Sequence, residues 1–345
     1  MLKRVAMLAG TAALLVGMAA PAAAVPVITE LPMLPGSTQA SAFDINEAGQ
    51  SVGYSGDYAG NVHGVRWNAD GSKTDLLPVP GDQNARALGI NNAGVAVGAS
   101  GSKAIRWNAD GTIAILASVP GYDEALAFDI NDAGAVVGNV YKLFSGQDLA
   151  VRWNPRRYLP YPHKASDVIR PAAEKLLPLR DDAYSWANDI NEDGVVVGRS
   201  ISAQYQDHAV KWGKDGVAVA LPAVPGAFSS EARGINKQGV IVGYAQMDST
   251  IATRVAVRWN LDGTVTNLGT LPGRPYGDAY NVNDNGLIVG RSEGANGYIP
   301  VQWTPNGSIS ELGMLPQDND GQARASNTKG VIVGESGGIH SVRWN

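Results

Sequence analysis

The sequence predicts an all-β fold: a seven-bladed β-propeller of four-stranded antiparallel blades. Three observations lead there. First, one pattern occurs seven times: an Ala, an Asn four residues later, a Gly seven residues after the Asn, and then a Trp. The Asn residues are Asn46, Asn91, Asn131, Asn191, Asn236, Asn283 and Asn327, and the Trp residues are Trp67, Trp107, Trp153, Trp212, Trp259, Trp303 and Trp344. Second, most copies recur after 40 to 47 residues and one after 60, a period typical of propeller blades. Third, each copy reads as short β-prone stretches separated by turn residues.

The second copy shows the blade strand by strand. Ala85–Asn91 is rich in small residues, Val95–Gly98 alternates weakly, and Ala104–Trp107 and Thr112–Leu116 are β-prone. The turns Asn91-Asn92-Ala93-Gly94 and Asn108-Ala109-Asp110-Gly111 begin with Asn and end with Gly. Asn bonds the backbone within such a turn, and Gly adopts the left-handed conformation that closes it. These residues are therefore read as structural. The first strand is expected to be innermost, because small residues recur in it, as at Ala85 and Ala87 or Ala125 and Ala127. The Trp on the third strand suits the wider space between blades. Each can bury on the order of 200 Å² and contribute several kcal/mol, as an upper estimate.

The chain stops after a third strand, at Trp344-Asn345, while Val27–Leu31 resembles the fourth-strand segment Val265–Leu268. The N-terminal strand is therefore expected to close the last blade, giving 28 strands and no orphan edge.

Ahead of that strand, Lys3 and Arg4 precede an apolar run from Val5 to Ala20, and Ala22-Ala23-Ala24 offers a cleavage site. This is the layout of a secretory signal peptide. Residues 1–24 are thus read as a leader, and 25–345 as one propeller domain, soluble, extracellular or periplasmic, and monomeric. No other stretch is long enough to span a bilayer. An insertion at about 155–170 in the third repeat carries Arg156, Arg157, Tyr158, Tyr161 and His163. It is expected to be a tolerated loop on the face opposite the blade linkers.

The net charge of −5 becomes −7 when Lys3 and Arg4 leave with the leader, which argues against a nucleic-acid partner. With no Cys in the chain, disulfides, thiolate metal sites and thiol catalysis are excluded.

The residues Ala-x-x-Ile-Asn-x-x-Gly-x-x-Val-Gly, His-Gly-Val-Arg-Trp and Leu-Pro-x-x-Pro-Gly resemble the HAF repeat of secreted bacterial proteins. The best matches are Leu268–Gly273, Leu312–Pro316, and His63, His208 and His340 before their Trp residues. The name-giving Phe is replaced by Val or Ile, and the His by Lys103, Leu149, Val255 and Ile299 in four copies. The resemblance implies an extracellular repeat protein and transfers no catalytic residues.

Binding on such a scaffold belongs on variable loops. The loops linking consecutive blades carry acidic and aromatic residues: Tyr122, Asp123, Asp181, Asp182, Tyr184, Phe228 and Tyr276. These are the candidate ligand-binding residues, expected around one mouth of the ring, where they suit a glycan or peptide. Asp44, Asp129 and Asp189 recur in three inner strands and are expected to accept backbone hydrogen bonds rather than hold a cation. No metal or cofactor is implied. No phosphate loop, nucleophile elbow or zinc motif occurs, so a binding or scaffold module is expected rather than an enzyme. The alternative is a glycoside hydrolase or lyase using Asp123 with Asp181 or Asp182.

Overall fold

The structure is a computed structural model that describes residues 26–143, 146–155, 173–249, 254–295 and 297–345. The expected leader and nearly all of the expected insertion, including His163, lie outside the described residues. Among those described, 28 strands form seven four-stranded antiparallel sheets, and there is no helix. The first blade is β2 (Gln39–Ile45), β3 (Ser51–Gly56), β4 (Val62–Trp67) and β5 (Lys73–Leu76), joined in that order. Five more blades repeat it. The seventh is β26 (Gly321–Ser326), β27 (Ile332–Ser336), β28 (His340–Trp344) and β1 (Ile28–Glu30). The register Ile28↔Trp344, Thr29↔Arg343 and Glu30↔Val342 closes the ring as the sequence predicts.

The first strands surround the axis, and each touches the first strand of the next blade, all round the circle. The core lies between blades. In one cluster Val52, Leu76 and Val79 of the first blade and its linker pack on Ala87, Ile105 and Trp107 of the second. All seven repeat Trp residues are at most 2% exposed, so none is a stacking platform for a sugar. Each indole N–H also donates to a carbonyl of the linker entering its blade, such as Trp107 to Leu77 at 2.9 Å and Trp212 to Leu177 at 2.7 Å. The Trp thus fastens the linker as well as filling the core, which satisfies its one polar group.

The repeat Asn has a role beyond its own turn. Its Oδ1 accepts the N–H four residues on, as Asn191 does from Val195 at 2.9 Å. Its Nδ2 donates to the backbone carbonyl of the same Asn in the next blade: Asn46 to Asn91, then Asn131, Asn191, Asn236, Asn283, Asn327 and back to Asn46. These seven bonds form an unbroken belt around the axis. The belt needs a donor and an acceptor on separate atoms, which neither an ionised Asp nor the single hydroxyl of Ser supplies.

The Gly seven residues after each Asn serves close approach rather than a turn. A Cβ on Gly98 would lie 1.9 Å from the carbonyl oxygen of Arg86. The turn glycine is separate: Gly94 has φ +73° and donates to Asn91 O at 3.0 Å.

Candidate functional site

Every inner strand carries a β-bulge directly after its repeat Ala, where the register with the second strand slips. A bulge leaves one residue unpaired and re-aims its side chain. The unpaired residues are Phe43, Leu88, Phe128, Asn188, Arg233, Tyr280 and Arg324, one from each blade, and together with Glu231 they line a cavity of about 330 Å³. Because every blade contributes, the cavity lies on the ring axis. Sequence reasoning placed only small residues there. Those small residues, Ala42, Ala87 and their equivalents, are fully buried and make room beside the axis, while large side chains alternating with them fill it.

The chamber is two-faced. Blades one to three supply Phe43, Leu88 and Phe128; blades four to seven supply Asn188, Arg233, Tyr280 and Arg324. Trp186 backs the apolar side, 5.7 Å from Phe128 and 5.6 Å from Tyr141 between ring centroids. On the polar side, Arg291 pairs with Asp278 at 2.8 Å and Arg199 with Asp207 at 3.0 Å. Glu231 accepts from Asn188 at 2.8 Å. Burial pushes the Glu231 carboxyl up, but Arg233 and Arg199 outweigh it and hold it below the usual range.

Arg233 and Arg324 are held differently. Arg233 lies 4.8 Å from the ring centroids of both Tyr244 and Tyr280; Arg324 lies 5.1 Å from Tyr280 and 5.6 Å from Phe43. Their nearest carboxylate oxygens are 3.9 Å and 3.5 Å away, beyond good hydrogen-bond distance.

One residue further along the inner strands stand Asp44, Asp129 and Asp189. Asp44 accepts from Ile45 and Ile90 at 2.8 Å each, Asp129 from Ile190 at 3.0 Å, and Asp189 from Ile190 at 2.7 Å and Ile235 at 2.8 Å. Each therefore ties its blade to the next through backbone N–H groups. Enclosure in the channel, with Asp129 nearby, raises Asp44 to about 7 and raises Asp189 well above the carboxylate range. Beyond the Asn belt, a second cavity of about 410 Å³ opens among Glu47, Asn92, Asp132, Glu192, Lys237, Asp284 and Thr328. The axis is thus aromatic and cationic on one side of the belt and mainly acidic on the other.

The candidate residues read from the linkers fall into three places. Tyr122 and Asp123 sit together beside a cavity of about 270 Å³ between the second and third blades. Asp123 accepts from Leu143 N at 2.9 Å, and Lys175 Nζ lies 5.5 Å from the Tyr122 ring centroid. Asp181 is exposed, whereas Asp182 takes His208 Nδ1 at 2.9 Å. Tyr184 stacks on Tyr205 at 6.2 Å, and Gln206 donates to the Phe228 carbonyl, so Tyr184 and Phe228 flank one loop. Tyr276 begins the sixth inner strand apart from both groups. Tyr205 was not anticipated: it has φ +60° and is 76% exposed, an unusual conformation for an aromatic residue.

The repeat His residues also work as latches. His208 and His340 pair with the linker acids Asp182 and Asp318, at 2.9 Å each, and His63 pairs with Asp75 at 3.0 Å.

A family described as a protein of unknown function (DUF3466) matches residues 122–258. The resemblance to the HAF repeat is corrected by this match. The residues that carried it are those the blade needs mechanically: the belt Asn, the close-approach Gly, the buried Trp and the latching His. No curated protein matches the chain. Among solved structures, a streptogramin B lyase is similar at TM-score 0.60 with 11% identity, covering 92% of this chain and 97% of that one. A puromycin hydrolase matches at 0.60 and 14%, covering 89% and 52%. The extracellular domain of a putative one component system from B. thetaiotaomicron matches at 0.54 and 9%, covering 91% and 39%. At these identities the likeness concerns the propeller scaffold alone. No helix among the described residues is long and apolar enough to cross a membrane.

Proposed function

We propose that this propeller is an exported, non-catalytic binding module whose ligand, a glycan or peptide, enters the axial chamber from the linker side. One observation carries the reading. At the bulge position the repeat gives way to seven side chains of mixed character, Phe, Leu, Phe, Asn, Arg, Tyr and Arg, while the residue before it is Ala in every copy. Apolar surface with a few convergent polar groups is the usual character of a ligand pocket, and about 330 Å³ falls within the size range of such pockets.

In this reading Tyr122, Asp123, Asp181, Asp182, Tyr184, Phe228 and Tyr276 form the rim, joined by Tyr205. Their loops leave the same end of the blades as the hairpins between second and third strands. Residues 1–24 act as the export signal, consistent with an extracellular location, and 25–345 act as one domain. The rival, a hydrolase or lyase, needs a carboxyl group held protonated near neutral pH to serve as acid. Glu231, the carboxylate that lines the chamber, is held low, and the raised carboxyls Asp44 and Asp189 are engaged with backbone N–H groups of the next blade.

The test is a glycan and peptide array probed with the mature protein and with Phe128→Ala. The reading expects a defined set of hits that Phe128→Ala loses while keeping its fold. Hits that survive unchanged, or turnover of any hit, overturn it.

A further inference from the structure

Resting on that reading, we propose that the chamber takes a carboxylate-bearing sugar, a uronate unit of an acidic glycan. Its carboxylate sits on Arg233 and Arg324, and one face of its ring lies on the wall of Phe43, Leu88 and Phe128.

The argument begins with the two guanidinium groups. Each is stacked against aromatic rings, Arg233 on Tyr244 and Tyr280 and Arg324 on Tyr280 and Phe43. Stacking occupies the flat faces and leaves the N–H groups in the plane of the fork. Among the described residues neither makes a hydrogen bond to protein, and Arg324 Nε is buried without a partner. The side chains are only 20% and 29% exposed, so water reaches them poorly. Each has a carboxylate at ion-pair distance, Glu231 at 3.9 Å and Glu335 at 3.5 Å, but the fork N–H groups are not hydrogen-bonded to it. Two oriented, partly desolvated forks with unused N–H groups form a receptor for a planar anion, and a carboxylate matches that fork. By contrast Arg291, in the same network, already has Asp278 at 2.8 Å.

The opposite wall selects the body of the ligand. Phe43, Leu88 and Phe128 have no polar side-chain atoms to offer, so that side takes an apolar surface. One face of a pyranose, which presents C–H groups, meets the need.

The remaining polar atoms separate a sugar acid from a fatty or aromatic acid. Besides the two guanidinium groups, the chamber wall carries the Asn188 amide, the Glu231 carboxylate and the Tyr280 hydroxyl. A wall that offers both donors and acceptors suits a ligand that carries both, as hydroxyl groups do. An acid with a plain hydrocarbon body serves only the guanidinium groups and leaves the acceptors unmet.

The experiment is calorimetric titration of the mature protein with trimers of galacturonate and of mannuronate, each beside its neutral methyl ester. At least one free acid is expected to bind ten-fold or more tighter than its ester, with affinity falling as salt rises. Arg324→Gln and Arg233→Gln should each weaken the acid ten-fold or more and leave ester binding nearly unchanged. Arg324→Lys, which keeps the charge but loses the fork, should fall between wild type and Arg324→Gln. Thermal melts check that each variant folds; if one does not, the other and the acid-to-ester ratio decide. Equal binding of acid and ester, or of neither by the wild type, overturns the proposal. Binding of a neutral glycan or a peptide that Phe128→Ala abolishes would overturn the uronate while leaving the chamber as the site.

Discussion

At the scale of single residues, three repeat positions carry the ring. The Asn belt is the most demanding, because each amide serves two partners in two blades. Asn191→Ala leaves Val195 N without its partner, while the Asn236 carbonyl keeps only the bond from Gly239 N. With one N–H left unpaired, denaturant titration should show a loss of about 1–3 kcal/mol. A loss near zero would mean that the belt is ornamental. Gly243→Ala should be at least as severe, since its Cβ would lie 2.0 Å from the Glu231 carbonyl oxygen. The Asp layer gives a pH signature. Asp44 binds its proton more tightly folded than unfolded, with pKa raised from 3.8 to about 7. The stability this provides is fully present below the unfolded value and is lost as pH rises through about 7. Melting temperature should therefore fall between about pH 4 and pH 7, and fall less in Asp44→Asn, as both states then lack that proton. Asn is a tolerated choice there, because Asn281 fills the position in the sixth blade and takes Ser326 N at 3.2 Å. Equal slopes for the two proteins would contradict the assignment.

At the scale of elements, closure and the bulge matter most. Pairing of Ile28–Glu30 with His340–Trp344 joins the termini across the last sheet, so removing residues 25–34 exposes the edge of β28 and takes the Leu31 side chain out of the closing core. The melting temperature of the whole ring should drop, and an unchanged value would contradict closure as a stabilising device. The strand pattern was legible because small residues, turn Asn-Gly pairs and Trp recur at fixed offsets, and each has one local cause. The bulge was not. Its signature is a variable residue directly after the repeat Ala, and nothing in alternation alone says that Phe43 and Arg324, far apart in sequence, face one cavity. Ala127→Leu tests the neighbouring position. It should overpack a fully buried site and cost about 1–3 kcal/mol.

At the scale of the whole molecule, the ring separates stability from function by radius and by height. Trp residues and aliphatic clusters lie between blades, the Asn belt girdles the axis, and the varied side chains converge on the axial chamber. The linker residues stood out in the sequence as acidic and aromatic, but the structure sets them in three places rather than one. The chamber was not legible, because its residues come from all seven blades and meet only when the ring closes. Several linker acids also turned out to serve as latches, as Asp182 does for His208. The most direct test of the chamber as binding site is a crystal structure of the mature protein soaked with the tightest-binding hit from the array. Density for the ligand between Phe128 and Arg324, on the linker side of the Asn belt, is the predicted result. Density confined to the acidic mouth around Glu47 and Asp284, or to the outer surface, would contradict it.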